Sequence, residues 1–166
     1  MADLLEARRG GPLDPPRLLP PLPGPGEPGA AGGWLTPLPP GPPWVIGLWG
    51  ASCFYCRQGL ADLVPLAERE GVPFVALHVP EFPDDERPGA PEGTLAELGL
   101  PVGRPGVHHH RDARAWARAV AMGFWPTFLV VDADRRATFV LVGWAGHADA
   151  MYGPLARAVA EAARTR

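Results

Sequence analysis

Two cysteines, Cys53 and Cys56, stand three positions apart and are the only cysteines of the chain. They follow the short apolar run 44–49 and open a stretch with apolar residues at helical spacing. Their spacing allows the two sulfurs to form a disulfide within one helical turn. A helix N-terminus lowers the pKa of a thiol, so Cys53 is the candidate nucleophile of thiol–disulfide exchange. Cys56, one turn further on, is placed to resolve the mixed disulfide.

Three other interpretations of the cysteine pair stay open at this point. Both cysteines could be buried core residues. They could be half of a zinc site, although the chain has no second cysteine pair to complete four ligands. The domain could also be a binding module in which the dithiol takes no part.

The elements that position the cysteines follow from the apolar pattern. Short apolar runs between Gly and Pro residues predict strands at 44–49, 72–79, 127–131 and 137–142. Helical spacing predicts helices at 53–70, 94–98, around Trp116 and at 149–164, and a short strand fits 105–110. The segment 80–91 is predicted to be an acidic, turn-rich loop. This order predicts an α/β fold with a mixed central sheet and helices on both faces.

Proline and glycine are concentrated near the start of the chain. The first 43 residues contain 13 Pro and 8 Gly, out of 23 Pro and 21 Gly in all 166 residues. This composition predicts a Pro/Gly-rich N-terminal arm at 1–33, partly extended or disordered, and a domain at 34–166. Alternatively, part of the arm docks on the domain and covers a sheet edge through Leu18, Leu19, Leu22, Trp34 and Leu35.

Charge and hydropathy exclude several classes of protein. The chain has 15 basic residues, all Arg, against 18 acidic ones, and its net charge of −3 argues against nucleic-acid binding. No apolar run approaches the roughly 18 residues that a membrane span needs. The first residues contain Asp3 and Glu6 and lack the apolar stretch of a secretory signal, so we expect a cytoplasmic protein. A signal removed before this sequence begins would leave no trace in it.

Two segments resemble the active-site motifs of thioredoxin-like thiol–disulfide oxidoreductases. Segment 49–57, Trp-Gly-Ala-Ser-Cys-Phe-Tyr-Cys-Arg, is similar to their dithiol motif. Segment 124–132, Phe-Trp-Pro-Thr-Phe-Leu-Val-Val-Asp, is similar to their cis-proline loop and the strand after it. Residues added between the second and third strands resemble the TlpA-type branch, and segments 34–35, 78–82 and 125–127 resemble the thioredoxin-like domains found with NHL repeats. The resemblance runs from about residue 34 to the end and implies a thioredoxin-like fold with a TlpA-type insertion.

The resemblance also implies roles for individual residues. Cys53 would attack the substrate disulfide, Cys56 would resolve the intermediate, and Pro126 would be the cis-proline that faces the dithiol. The substrate-binding residues it implies are Trp125, Pro126, Tyr55 and, packing behind the dithiol, Trp49. Its partners would be protein disulfides or dithiols, with no metal or organic cofactor. We also expect a monomer.

Two features depart from the family's pattern. Thioredoxins carry a buried acid two residues before the tryptophan that corresponds to Trp49, whereas this chain has Gly47. Glu81, after the second strand, is therefore the candidate proton acceptor for Cys56, with water as the alternative. The Phe-Tyr pair between the cysteines predicts an apolar rim and leaves the redox potential open.

A run of three histidines, His108, His109 and His110, suggests a metal-binding hypothesis. Imidazole binds copper and zinc, and SCO-type copper chaperones combine a thioredoxin-like fold with a cysteine pair and a distant histidine. Their cysteines have three residues between them, whereas this pair has two, and alternation along a strand points His109 away from its neighbours. A strand edge or loop is the expected role of the run. Metal delivery, like an interaction module without turnover, is an alternative function.

Overall fold

The computed structural model describes residues 10–25, 33–123 and 125–166. Its strands are β1 (Gly10–Leu18), β2 (Trp44–Trp49), β3 (Phe74–His78), β4 (Val107–His110), β5 (Thr127–Val131) and β6 (Arg136–Val142). Its helices are α1 (Phe54–Arg69), α2 (Ala90–Glu97), α3 (Arg114–Ala119) and α4 (Tyr152–Ala163), with a 3₁₀ helix at Pro83–Glu86. Among these residues no helix combines the length and the hydropathy that crossing a membrane requires.

The six strands form one mixed sheet in the order β1-β6-β5-β2-β3-β4. The central strands β2, β3 and β5 are buried along their whole length, which explains their nearly unbroken apolar sequences. β2 is parallel to β3, with Trp49 opposite His78. β2 is antiparallel to β5, with Leu48 opposite Thr127, and β5 is antiparallel to β6.

Helices cover both faces of the sheet. On one face α1 packs through Leu60 and Leu63, and α4 packs through Leu155 and Val159. On the other face α3 packs through Trp116. The predicted α/β architecture, a mixed sheet with helices on both sides, is confirmed.

Residues 10–18 of the predicted arm belong to the sheet. β1 is an edge strand antiparallel to β6, where prolines are tolerated because an edge leaves N–H groups outside the ladder. Leu19, 1% exposed, and Leu22 then pack on the same face as α3, whereas Leu18 is 57% exposed. Residues 1–9 and 26–32 of the arm lie outside the described residues. The boundary at residue 33 stays a prediction.

Residues Trp34 and Leu35 cover the opposite edge of the sheet, beside β4. The Leu35 N–H donates to the carbonyl oxygen of His109 at 2.9 Å. The Trp34 ring packs edge-on against the His110 ring, with centroids 5.0 Å apart. N-terminal residues therefore cover the β4 edge, which would otherwise be open to pairing with other chains, whereas β1 is itself the opposite edge.

The chain between β3 and β5 adds elements beside the start of α1. The 3₁₀ helix lies within the predicted loop at 80–91, and the helix predicted at 94–98 begins earlier, at Ala90. β4 pairs in parallel with β3. Arg57, in the first turn of α1, donates to the carboxylate of Glu97 on α2 at 3.2 Å. These added elements therefore flank the segment that carries the cysteines.

Candidate active site

Cys53 and Cys56 form a disulfide at the N-terminus of α1, with Cα atoms 5.2 Å apart. Cys53 is the N-cap residue, and its Sγ accepts a hydrogen bond from the backbone N–H of Cys56 at 3.2 Å. Cys53 is partly exposed, whereas Cys56 is fully buried. A sulfur atom from another molecule can therefore reach Cys53 but not Cys56.

The two residues before Cys53 are held by side chains from the end of β3 and from the 3₁₀ helix that follows it. The Ala51 N–H donates to Nε2 of His78 at 3.2 Å. The Ser52 N–H donates to Oδ1 of Asp85 at 2.8 Å, and the Ser52 hydroxyl donates to the same oxygen. No pattern in the sequence marks His78 or Asp85 as site residues. The available signal is the acidic run 84–86 after a buried strand.

His78 is a buried, neutral imidazole, 1% exposed. Its Nδ1 lies 2.7 Å from the carbonyl oxygen of Arg111, while its Nε2 accepts from the Ala51 N–H, so the ring carries its proton on Nδ1. The ring packs edge-on against Trp49, with centroids 5.0 Å apart. Burial lowers the pKa of His78, although its bond to Arg111 and nearby carboxylates oppose that effect.

Asp85 is a carboxylate that is 2% exposed. Besides the two donors of Ser52, it accepts from the backbone N–H groups of Glu81 and Phe82, each 3.0 Å from Oδ2. Burial alone would raise the pKa of Asp85, but these hydrogen bonds outweigh burial and hold the pKa below its ordinary value. Asp85 is therefore ionised at neutral pH.

Trp125 and Pro126 lie at the same end of the sheet as the disulfide. Thr127 is opposite Leu48, so the two residues before Thr127 lie next to the turn that leads from β2 into α1. The peptide bond between Trp125 and Pro126 is cis. Trp125 is partly buried and packs against the apolar clusters on both faces of the sheet. Phe124, the first residue of the predicted motif, lies outside the described residues.

Solved structures share this arrangement of sheet and helices. One is a thiol:disulfide interchange protein DsbE from Chlorobium tepidum (TM-score 0.53, 18% identity, covering 70% of this chain and 79% of that chain). Another is a secreted Mycobacterium tuberculosis disulfide oxidoreductase homologous to Escherichia coli DsbE (0.54, 19%, 71% and 80%). A third is a thioredoxin-like protein in its oxidised form (0.59, 23%, 74% and 80%). No family model and no curated protein matches the sequence.

The chain has a thioredoxin-like fold. This confirms the fold predicted from the two motifs, while the TlpA-type label stays a prediction. At these identities the likeness concerns the fold. Together with the disulfide at the start of α1 it supports redox exchange as the general kind of activity.

In the thioredoxin-like fold of this chain, a side chain at Gly47 would crowd two aromatic rings. A Cβ there would lie 3.0 Å from the Phe74 ring and 3.1 Å from the Phe128 ring. Trp49 is 1% exposed. It packs in the same apolar cluster as Cys56, and its assignment to the substrate-binding residues stays a prediction.

Tyr55 and Glu81 are both exposed and have different neighbours. Tyr55 is 61% exposed and packs edge-on against Phe54, which is 69% exposed, so the two rings form the predicted apolar rim. Glu81 is exposed and lines a cleft of about 700 Å³ together with Trp125. The buried acid near the motif is Asp85, and the role of Glu81 as proton acceptor stays a prediction.

The three histidines of β4 have different surroundings. His108 Nδ1 lies 3.2 Å from the carbonyl oxygen of Pro37, and His110 Nδ1 accepts from the Asp112 N–H at 3.2 Å. His109 is 1% exposed and neither ring nitrogen has a hydrogen-bond partner. Within residues 10–25, 33–123 and 125–166, no three His, Cys, Asp or Glu side chains are grouped as a metal site.

Proposed function

We propose that the protein is a thiol–disulfide oxidoreductase that acts on protein substrates through Cys53 and Cys56. The observation that carries the proposal is the pairing of a reachable Cys53 with a buried Cys56 at the N-terminus of α1. A helix N-terminus favours the thiolate of the outer cysteine. The inner cysteine is sheltered from other reactants but lies next to the sulfur that it must attack.

The proposed reaction is a pair of thiol–disulfide exchanges. The Cys53 thiolate attacks one sulfur of a substrate disulfide, forms a mixed disulfide and expels the other substrate sulfur as a thiolate. Cys56 gives up its proton, to Glu81 or water, and attacks Sγ of Cys53, which releases the second substrate thiolate. Two electrons pass from the protein dithiol to the substrate, whose two thiolates take up the two protons. An external dithiol restores the reduced pair by the reverse steps.

The proposed substrate surface combines the exposed aromatic rim between the cysteines with the cleft that Trp125 lines. Tyr55 contributes apolar surface beside Cys53, and Trp125 forms one wall of the 700 Å³ cleft. Pro126 has no N–H group of its own and would leave the neighbouring backbone free to pair with an extended peptide. We propose that the protein carries out thiol–disulfide exchange as a monomer in the cytoplasm.

The proposal is tested by reduction of insulin with dithiothreitol as the electron donor. Wild-type protein is expected to accelerate the reaction, Cys53→Ser to be inactive, and Cys56→Ser to accumulate a mixed disulfide. Equal rates for wild type and Cys53→Ser would contradict the proposal. A reversible Cys53–Cys56 disulfide without turnover would favour the interaction-module alternative. A redox titration then gives the direction, since a potential near about −270 mV matches a thioredoxin-like reductant.

A further inference from the structure

A buried negative charge lies against the segment that presents Cys53. A Cβ at Gly50 would lie 3.7 Å from Oδ2 of Asp85 and 3.9 Å from Cβ of Cys53. The carboxylate and the cysteine side chain therefore face the same small space beside Gly50. Asp85 also accepts the N–H of Ser52, the residue next to Cys53, and a buried charge so placed is screened by solvent less than an exposed one.

Hydrogen bonds occupy both oxygens of this carboxylate. Oδ1 accepts the N–H and the hydroxyl of Ser52, and Oδ2 accepts the N–H groups of Glu81 and Phe82. The carboxylate thus joins the segment after β3 to the residue immediately before Cys53. Since each of its oxygens already accepts two hydrogen bonds, we treat Asp85 as a fixed charge and not as the group that receives the proton of Cys56.

The arginines that line the two clefts beside Asp85 are paired with other acids, among them Arg111 with Glu92 and Arg114 with Asp112 and Glu86. Arg57 and Arg87 line the same cleft as Asp85, of about 550 Å³. Arg57 pairs with Glu97 at 3.2 Å, and Arg87 pairs with Asp84 at 2.8 Å. On the side of β3 the neighbouring titratable group is the neutral His78, and Glu81 adds a second, exposed carboxylate. The N–H and O–H groups that donate to the carboxylate, rather than a cation, therefore balance the charge of Asp85.

We propose that Asp85 is a positioning residue of the dithiol, which holds Ser52 in place and whose charge opposes the thiolate of Cys53. This deepens the proposed function and rests on it. A negative charge beside Cys53 raises the pKa of its thiol and destabilises the reduced pair, so Asp85 makes the protein a stronger reductant. The helix N-terminus acts in the opposite direction, and the potential is set by the balance of the two.

The test compares Asp85→Asn with Asp84→Asn in the reduced full-length protein. Asp85→Asn keeps the shape of the side chain but removes its charge, whereas Asp84→Asn removes a charge from an exposed neighbour that pairs with Arg87. The pKa of Cys53 is read from the pH dependence of its alkylation by iodoacetamide, located by mass spectrometry. The redox equilibrium is measured against glutathione.

Asp85→Asn is expected to lower the pKa of Cys53 by about one unit and to shift the glutathione equilibrium about tenfold towards the dithiol. Asp84→Asn is expected to leave the pKa of Cys53 and the glutathione equilibrium close to their wild-type values. If Asp85→Asn matches Asp84→Asn, or only lowers the melting temperature, the proposal is wrong. Alkylation needs no turnover, so the result is readable even if wild-type protein fails to reduce insulin and the proposed function falls.

A second variant covers the case in which Asp85→Asn does not fold. Ser52 is exposed, and Ser52→Ala removes one donor to the carboxylate while keeping its charge and the backbone hydrogen bond. Because the carboxylate of Asp85 then has one hydrogen bond fewer, the pKa of Cys53 is expected to keep its wild-type value or to rise. A fall in this pKa would contradict the proposed role of Asp85.

Discussion

The ring of Phe128 lies so close to Gly59 that a Cβ added to the glycine would be 2.6 Å from Cζ of the ring. Gly59 is in α1, one turn after Cys56, and Phe128 is the second residue of β5. The absence of a side chain at Gly59 thus allows α1 to approach the sheet beside the disulfide. The same ring occupies the space next to Gly47, where the resembled family has its buried acid.

This contact predicts that Gly59→Ala destabilises the protein, although alanine favours helices. Displacing the Phe128 ring is expected to lower the free energy of unfolding by about 1–3 kcal/mol. Gly93→Ala in α2 is the matched control, because nothing lies within 4 Å of its added Cβ. That change is expected to stabilise by about 0.4–1 kcal/mol. Urea denaturation measures both, and equal stability of the two variants would contradict the steric account.

The N-terminal residues offer a pair of adjacent leucines with opposite exposure. Leu19 is 1% exposed and Leu18 is 57% exposed. Leu19→Ala is expected to cost about 2–4 kcal/mol of unfolding free energy, because it leaves a cavity on the α3 face of the sheet. Leu18→Ala is expected to change it by less than about 0.5 kcal/mol. Thermal and urea unfolding test this, and a small effect of Leu19→Ala would show that the docked segment adds little stability.

The buried imidazole of His109 is expected to make the protein less stable in mild acid. Burial, with a smaller effect of His108, lowers its pKa to about 4, against about 6.5 in an unfolded chain. Between these values the unfolded state binds a proton that the folded state does not, so stability falls as the pH falls from about 6.5 to about 4. This site is expected to lose about 2 kcal/mol between pH 7.5 and pH 5.

Replacing the histidine isolates that contribution. His109→Leu is expected to remove about 2 kcal/mol of the pH dependence, measured by urea unfolding at the two pH values. His147→Gln is the control, because His147 has a side chain that is 62% exposed. An unchanged pH dependence in His109→Leu would mean that the buried ring does not stay neutral.

Replacing Trp125 is expected to change substrate binding without changing the redox potential of the dithiol. Trp125→Ala removes a wall of the 700 Å³ cleft and is expected to raise the KM for a peptide disulfide about 5–10-fold. The glutathione equilibrium of the dithiol is expected to stay at its wild-type value. Leu38→Ala, at an exposed residue that lines a different cleft, is expected to change neither. An unchanged KM for Trp125→Ala would remove this residue from the substrate surface.

The sequence by itself determined the parts of this protein whose causes lie among neighbouring residues. Strands at 44–49 and 127–131 agree with the structure residue by residue, because an apolar run between turn residues specifies a buried strand. The cysteine spacing before a helical pattern likewise predicts the disulfide at the start of α1. The Pro and Gly content of the N-terminus did not predict that β1 pairs with β6.

Only the tertiary structure decided which side chains surround the dithiol. His78 and Asp85 bind Ala51 and Ser52 across 27 and 33 positions of sequence, and no local pattern encodes contacts at such separations. The sequence offered Glu81 as the nearby acid, since the sequence alone does not show which of the acidic residues at 81–86 becomes buried. Folding buries only Asp85 among them, because the turn of the 3₁₀ helix directs its carboxylate at the N–H and hydroxyl of Ser52.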